Sequence, residues 1–288
     1  MRNDFAIFIP SYDRCKTLLN GTLHMLKKYN YTGKWYVVID DNDPQLDTYK
    51  EKISEEHLLI FHKPDYYDYY DTCYNKKDIN SKLYALGFIN DVINNSNINY
   101  YYIIDDDFEY IKYNKKIVEK LNYDELIDLF ISLIDIDNID LIGFCNFPYG
   151  EENSFDNIIS GNYFLKKDNN LKWLCNFNEE VGTSLCNIDL GKLVYSIYLN
   201  NPRIYYKQEK QWSISTKKGG NSKLYRFFTN NEMNNDDLKN SYIFIVYMLK
   251  IMINPNSVPY EKVVDTDYYT YIHRYGIHPK IIDGRWKK

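Results

Sequence analysis

The chain has 288 residues and a formal net charge of −5. This length allows one large domain or two small ones, with enough residues for a sizeable core. The negative charge excludes a surface that attracts nucleic acid over its whole extent. The five cysteines are scattered and form no CxxC pair, so neither a disulfide framework nor a structural zinc site is expected.

The sequence shows no signal peptide and no apolar run of about 20 residues, so we expect no membrane span. Scattered cysteines are typical of reduced thiols in a reducing compartment. We therefore expect a cytoplasmic protein, located in the host cytoplasm if the source is a virus.

The first 110 residues alternate between short apolar runs and helical patterns. Four apolar runs predict buried strands: 5–9, 35–39, 58–61 and 100–104. Residues 17–29 and 80–93 show helical spacing. The order of these elements predicts an α/β fold in which covering helices flank a mostly parallel, Rossmann-type sheet.

The second half of the chain has weaker patterns. Residues 124–134 predict a helix capped by Asn122, and residues 139–145 predict a strand. Residues 156–188 are typical of short strands and turns, and residues 235–252 predict a long helix. We therefore expect one compact unit with an irregular C-terminal half.

Polar residues follow three of the predicted strands, at residues 10–14, 40–43 and 105–107. In parallel sheets, ligands bind outside the carboxyl ends of the strands. These three segments are therefore expected to meet at one edge of the sheet and to form an active site.

The most distinctive segment is Asp105-Asp106-Asp107, directly after a run of β-forming residues. Carboxylates at the end of a buried strand repel one another and lose water, so they cost stability unless a cation is present. Asp105 and Asp107 lie two residues apart and point the same way in extended chain. This pair suits a divalent ion, Mn²⁺ or Mg²⁺, completed by a phosphate-bearing substrate. The alternative is a solvated, Asp-rich turn.

Several further residues are candidates for binding a nucleotide. Arg14 offers a fork for phosphate oxygens, or it pairs with a neighbouring Asp in a solvated loop. Asp40 and Asp41 can accept hydrogen bonds from a ribose or base, or they belong to a turn before Pro44. Lys82, near a helix start, can reach a diphosphate or remain solvated. The chain has no GxGxxG motif after its first strand and no GxxxxGK[ST] motif, so a metal is the more natural way to neutralise a diphosphate.

Two candidates lie late in the chain. Asp236 or Asp237 can serve as a general base for an acceptor hydroxyl, or they stabilise the start of the following helix. His273 can be a third metal ligand, or it has a structural role.

Residues 203–226 contain seven Lys or Arg residues and one Glu, a local charge of +6. Tyr and Trp side chains are interleaved with these charges. The combination suits a nucleic-acid strand such as DNA, and it equally suits a mobile basic loop or a lid over an anionic donor.

The ordered motifs resemble those of nucleotide-sugar glycosyltransferases of the GT-A fold: a strand followed by Pro10-Ser11-x-x-Arg14, a strand followed by Asp40-Asp41, and a strand followed by Asp105-x-Asp107. The resemblance implies a nucleotide-diphosphate sugar donor. It places Ser11, Arg14 and Asp40 at the nucleotide, Asp105 and Asp107 at the metal, and Asp236 or Asp237 near the acceptor hydroxyl. We expect Pro10, Asp41, Lys82 and Asp106 to belong to the same donor site. Residues 1–110 would form the half that binds the nucleotide sugar, and residues 111–288 the acceptor half.

The short opening motif is similar to that of the TET-associated glycosyltransferases of bacteriophages. This resemblance implies DNA modification, with a hydroxymethylated pyrimidine as the sugar acceptor. A glycan or surface polysaccharide is the alternative acceptor. A nucleotidyltransferase, a nuclease and a non-catalytic binding module are the other classes that remain open.

Overall fold

The computed structural model describes residues 2–67, 82–113, 116–144, 154–155, 159, 162–168, 171, 173, 183–184, 187 and 191–197. The strands in chain order are β1 (Phe5–Pro10), β2 (Lys34–Asp40), β3 (Leu58–Phe61), β4 (Tyr100–Ile104), β5 (Lys112–Tyr113), β6 (Lys116–Ile117), β7 (Leu141–Phe144), β8 (Ser154–Phe155), β9 (Asn162–Lys166) and β10 (Val194–Ile197). The helices are α1 (Cys15–Asn20), α2 (Thr22–Lys28), α3 (Leu46–Lys52), α4 (Lys82–Asn94) and α5 (Tyr123–Asp137). Short 3₁₀ turns cover Glu55–His57 and Lys63–Tyr66.

Eight of these strands form one sheet, in the order β3-β2-β1-β4-β9-β7-β10-β8, and β5 pairs with β6. Strands β1, β2, β3, β4, β7 and β10 run in one direction, and β8 and β9 run against them. The expected α/β fold with a mostly parallel sheet is confirmed. The predicted helix at 235–252 lies outside the described residues.

Alternating side chains of the central strands pack on both faces of the sheet, as the pleat of a strand requires. In β1, Phe5, Ile7 and Ile9 belong to the core beneath α1, α2 and α5. Ala6 and Phe8 belong to the core beneath α4. Because both faces are covered, the strands read as continuous apolar runs, which made them recognisable in the sequence.

The predicted single helix at 17–29 is divided into α1 and α2 at Gly21. A Cβ atom at Gly21 would lie 2.8 Å from the carbonyl oxygen of Thr17 and 3.0 Å from that of Asp106. The break therefore lets the backbone approach the segment after β4 more closely than a residue with a side chain allows.

A side-chain cap fixes the start of helix α5. Helix α5 begins where the sequence predicted, because the side chain of Asn122 accepts hydrogen bonds from the backbone N–H groups of Asp124 and Glu125.

None of the described helices is both long enough and apolar enough to cross a membrane.

Replacement of Phe164 in β9 tests the packing of the sheet. Phe164 is fully buried, stacks on Phe5 at 5.5 Å between ring centroids, and meets the ring of Phe130 at 5.2 Å. We expect Phe164→Ala to lower the free energy of unfolding by about 3–5 kcal/mol in urea titrations. Leu129→Ala, at an exposed position of α5, should change it by about 0.5 kcal/mol or less. Equal effects of the two substitutions would contradict this packing.

Candidate active site

Ser11 joins the carboxyl ends of three adjacent strands. It follows β1, and its backbone N–H donates to the carbonyl of Val38 in β2 at 3.1 Å. Its hydroxyl donates to Oδ2 of Asp106, after β4, at 2.6 Å. The strand order β2-β1-β4 thus brings the polar segments that follow these strands to one edge of the sheet.

The guanidinium of Arg14 lies between two of the three aspartates. Its Nη1 is 3.2 Å from Oδ1 of Asp106, and its Nη2 is 2.7 Å from Oδ2 of Asp107. Burial alone would lower the pKa of Arg14, but the charges of Asp106 and Asp107 outweigh burial and raise it. Arg14 is therefore the internal counter-ion of the aspartate segment.

Burial dominates the protonation of both inner aspartates. It raises the pKa of Asp106 to about 7, and the neighbouring charge of Asp107 adds to this increase, while Arg14 and Ser11 oppose it. Burial also raises the pKa of Asp107, again against the influence of Arg14. The segment therefore keeps two carboxyl groups in a place that favours a proton or a further cation.

Tyr49 of α3 supports Ser11 and Arg14 together. Its hydroxyl lies 2.7 Å from the Ser11 hydroxyl and accepts the backbone N–H of Arg14 at 3.1 Å. Because Ser11 gives its proton to Asp106, Tyr49 must donate to Ser11. The result is a directed chain of hydrogen bonds from the backbone of Arg14 through Tyr49 and Ser11 to Asp106.

Asp105 has a different partner from the two inner aspartates. Its Oδ1 pairs with Nζ of Lys82, in the first turn of α4. The side chain of Asp105 is 29% exposed, compared with 5% for Asp106 and 7% for Asp107. Asp105 is therefore the carboxylate of the three that a ligand at the edge of the sheet can most readily reach.

The segment after β2 forms a second acidic group. Asp40 is buried, accepts the backbone N–H of Asn42 at 3.0 Å, and has a pKa that burial raises. Asp41 is exposed and pairs with His62 at 2.7 Å. Asp43 accepts the backbone N–H of Asp13 at 2.8 Å, which ties this segment to the one after β1.

Thr22, at the start of α2, holds the backbone of the aspartate segment. Its hydroxyl donates to the carbonyl of Asp105 at 2.6 Å and accepts the N–H of Phe108 at 3.0 Å. One buried hydroxyl thus joins the two ends of the turn that carries the three aspartates. Gly21 permits this approach, because a Cβ atom at this position would lie only 3.0 Å from the carbonyl oxygen of Asp106.

The structure brings together most of the residues that the sequence singled out. Pro10 is the last residue of β1 and pairs with Val38 of β2. The other donor and metal candidates gathered at the same edge are Ser11, Arg14, Asp40, Asp41, Lys82, Asp105, Asp106 and Asp107. Asp236, Asp237, His273 and residues 203–226 lie outside the described residues.

Within the part of the chain that the structure describes, no group of three or more His, Cys, Asp or Glu side chains is arranged to hold a metal ion. Asp105 and Asp107 nevertheless offer carboxylate oxygens of the kind that a divalent ion binds. Asp105 is accessible, and Arg14 contacts only Oδ2 of Asp107. Hard carboxylate oxygens are the ligands that Mg²⁺ prefers when substrate phosphates complete its coordination.

A family model for TET-associated glycosyltransferases matches residues 5–220, which is three quarters of the chain. The chain belongs to this family. It is therefore a glycosyltransferase, and the resemblance inferred from the strand-end motifs is confirmed. The matched segment contains every candidate site residue that the structure describes, whereas Asp236, Asp237 and His273 lie beyond it. No curated protein sequence matches this glycosyltransferase.

Solved structures share the fold. TarS residues 1–349 from S. aureus, in a complex with UDP-GlcNAc, match with a TM-score of 0.52 and 12% identity, over 94% of this chain and 73% of TarS. TarS in a complex with UDP matches with a TM-score of 0.38 and 11% identity, over 98% of this chain and 88% of TarS. At these identities the first match supports the fold, and the second carries no argument.

Sequence reasoning missed Tyr49, Thr22 and Gln45. Gln45 lies four residues before Tyr49, so both occupy one side of α3. Its Nε2 donates to the carbonyl of Asp13 at 3.0 Å, and its Oε1 accepts the N–H of Cys15 at 3.1 Å. The four-residue spacing is a signal in the sequence, but it becomes meaningful only once α3 is known to pack beside the loop after β1.

Removal of the Tyr49 hydroxyl tests the hydrogen-bond chain. Tyr49→Phe leaves the Ser11 hydroxyl and the Arg14 N–H without this partner, so we expect the free energy of unfolding to fall by about 1–3 kcal/mol. Tyr100→Phe is the matched control, because its hydroxyl also donates a short hydrogen bond, to Asp135 at 2.6 Å, at the opposite end of β4. Tyr100→Phe should cost less, since its partner is exposed. A Tyr49→Phe effect no larger than the control would contradict the buried chain.

The raised pKa of Asp106 predicts a pH dependence of stability in the metal-free chain. Folding raises the pKa of this carboxyl group from 3.8 to about 7, so the protonated group favours the folded state. Its contribution to stability is complete at a pH below the unfolded pKa of 3.8. This contribution is lost as the pH rises towards 7. With a chelator present, the free energy of unfolding of Asp106→Asn should therefore fall less between pH 4.5 and 7.5 than that of the wild type. Parallel curves would show that Asp106 does not titrate in this range.

Proposed function

We propose that this glycosyltransferase moves a sugar from a nucleotide-diphosphate donor to a hydroxyl acceptor with the help of a divalent cation. The observation that carries the proposal is the convergence of three strand ends on the segment Asp105-Asp106-Asp107. The edge of the sheet holds one accessible carboxylate beside a lysine, and these two charges suit an ion and a diphosphate respectively.

The donor would lie across the ends of β1, β2 and β4. Asp40 and Asp41 are placed for the nucleoside, since carboxylates after the second strand of such sheets accept hydrogen bonds from a ribose. Pro10, Ser11 and Arg14 form the floor of the site, and Lys82 faces the diphosphate. The UDP-GlcNAc complex of TarS supports a uridine diphosphate sugar as the first donor to test.

Mn²⁺ or Mg²⁺ would be held by Asp105 and Asp107, with His273 as a candidate third ligand. When bound, the ion supplies a Lewis acid that offsets the charge of the departing diphosphate. Arg14 keeps Asp107 oriented through Oδ2, and Thr22 keeps the turn closed around the pair. Asp105 and Asp107 would supply two carboxylate ligands, and the donor phosphates would supply further oxygen ligands.

The acceptor that we propose is a hydroxymethylated pyrimidine in phage DNA, which would place the reaction in the host cytoplasm. The family assignment supports this choice, and the +6 segment at 203–226 suits a nucleic-acid strand. The pyrimidine would have to leave the base stack, or be single-stranded, to reach the site. Residues 1–110 would bind the donor, and residues 111–288 the acceptor.

The reaction forms one bond and breaks another. The acceptor oxygen attacks the anomeric carbon, and the bond between that carbon and the diphosphate oxygen breaks, with its electron pair leaving on the diphosphate. In an inverting reaction, the hydroxyl proton would pass to Asp236 or Asp237 as general base.

Asp105→Asn tests the donor site by calorimetric titration with UDP in the presence of Mn²⁺. We expect the Mn²⁺-dependent part of UDP affinity to fall by about tenfold or more, equivalent to about 1.4 kcal/mol. Asp140→Asn is the control, since Asp140 also pairs with a lysine, Lys192 at 3.3 Å, but lies before β7. Asp140→Asn should bind UDP like the wild type. Unchanged affinity in Asp105→Asn would contradict the assigned site.

The acceptor is tested by incubating the full chain with UDP-GlcNAc, Mn²⁺ and a single-stranded oligonucleotide that contains hydroxymethylated pyrimidines. Mass spectrometry should show the gain of one sugar per modified base, and an unmodified oligonucleotide should gain none. If a panel of nucleotide sugars yields no transfer to this DNA but does yield transfer to a saccharide, the DNA acceptor is wrong and the donor site stands.

A further inference from the structure

An ion pair and an aromatic ring hold Lys82 at the edge of the active site. Its Nζ pairs with Oδ1 of Asp105, and it lies 5.1 Å from the ring centroid of Tyr163 in β9. The side chain is only 12% exposed, so most of its stem is removed from water. The ammonium is therefore directed at one carboxylate by an ion pair and by an aromatic face.

Two cations divide the three aspartates between them. Arg14 contacts Asp106 and Asp107 through separate nitrogens, and its own backbone is fixed by Tyr49. Lys82 pairs with Oδ1 of Asp105 through an ammonium on a flexible four-carbon stem. Arg14 is a rigid, built-in counter-ion, whereas Lys82 is the cation that a competing ligand can displace.

Asp105 is also the accessible carboxylate that the proposed divalent ion would use. An ammonium and a divalent ion on the same carboxylate repel each other strongly at a site with little water. A diphosphate brings negative charge that both cations can share, which removes this conflict. The charges therefore favour two arrangements: Lys82 on Asp105 without donor, and the ion on Asp105 with Lys82 on the diphosphate.

We propose that Lys82 competes with the divalent ion for Asp105 and passes to the donor diphosphate when the ion binds. This inference rests on the proposed function, and it adds that Lys82 suppresses metal binding in the absence of donor. Ion and donor then bind with positive coupling, because each removes the obstacle to the other. The lysine offsets the charge of Asp105 when no ion is bound, and it makes the metal site depend on the nucleotide.

The test measures two affinities in the full-length chain and expects opposite changes. Mn²⁺ binding without nucleotide is followed by the electron paramagnetic resonance signal of free Mn²⁺, and UDP binding at saturating Mn²⁺ is followed by calorimetry. Lys82→Met should bind Mn²⁺ about tenfold more tightly and UDP about tenfold more weakly, each equivalent to about 1.4 kcal/mol. Lys82→Arg keeps the charge and should leave Mn²⁺ affinity close to that of the wild type.

Lys166→Met is the matched control. The Nζ atom of Lys166 pairs with Asp135 at 2.8 Å and lies 5.4 Å from the ring of Tyr100, so it repeats both contacts of Lys82 at the far end of the sheet. Its removal should change neither affinity. Circular dichroism melting curves of all variants show whether each chain is folded.

The outcomes separate this inference from the function on which it rests. If the wild type binds Mn²⁺ and UDP together but Lys82→Met binds Mn²⁺ no more tightly, competition is wrong and the metal site stands. A decrease in Mn²⁺ affinity in Lys82→Met would likewise overturn the inference. If neither the wild type nor any variant binds Mn²⁺, with or without UDP, the metal in the proposed function is wrong. The competition between Lys82 and the ion is then wrong as well.

Discussion

The structure depends on one ionic contact, the guanidinium of Arg14 between the carboxylates of Asp106 and Asp107. The two carboxylates are buried just after the central strand β4, where charge without a partner is costly. Arg14 lies after the neighbouring strand β1, directly before α1, so the contact joins the segments that follow two adjacent strands. Tyr49 and Ser11 hold both sides of this contact, and burial still leaves the carboxyl groups with raised pKa values.

This internal neutralisation explains why the three aspartates can do different work. The two inner ones are buried and tied to Arg14, which contacts Asp107 through Oδ2. Asp105 remains accessible, with Lys82 as a replaceable partner. On the opposite side, the hydroxyl of Thr22 joins the two ends of the turn by hydrogen bonds. The neighbouring Gly21 allows this close approach, because a side chain there would crowd the backbone of Asp106. A rigid base therefore presents one reactive edge, which is what the binding of a charged donor requires.

Sequence reasoning recovered the first half of the sheet because its four strands are short apolar runs, three of them followed by polar residues. It could not supply the strand order, which alone places Arg14 beside Asp106 and Asp107. The guanidinium fork of Arg14 suits phosphate and carboxylate equally, so the sequence left a phosphate and a neighbouring Asp open as its partner. The structure shows two carboxylates from a distant segment, those of Asp106 and Asp107. Tyr49 was missed because a tyrosine hydroxyl reveals its partner only once helix packing is known. The helix break at Gly21 was missed because it reflects a contact with a segment more than 80 residues away.

The central claim is that the edge formed by the ends of β1, β2 and β4 binds the donor diphosphate at Asp105. The most direct measurement is a crystal structure of the full chain with UDP and Mn²⁺, using the anomalous signal of manganese to locate the ion. The account predicts an anomalous peak within about 2.0–2.6 Å of a carboxylate oxygen of Asp105 and of the diphosphate. A nucleotide bound elsewhere, with Asp105 still paired to Lys82, would contradict it.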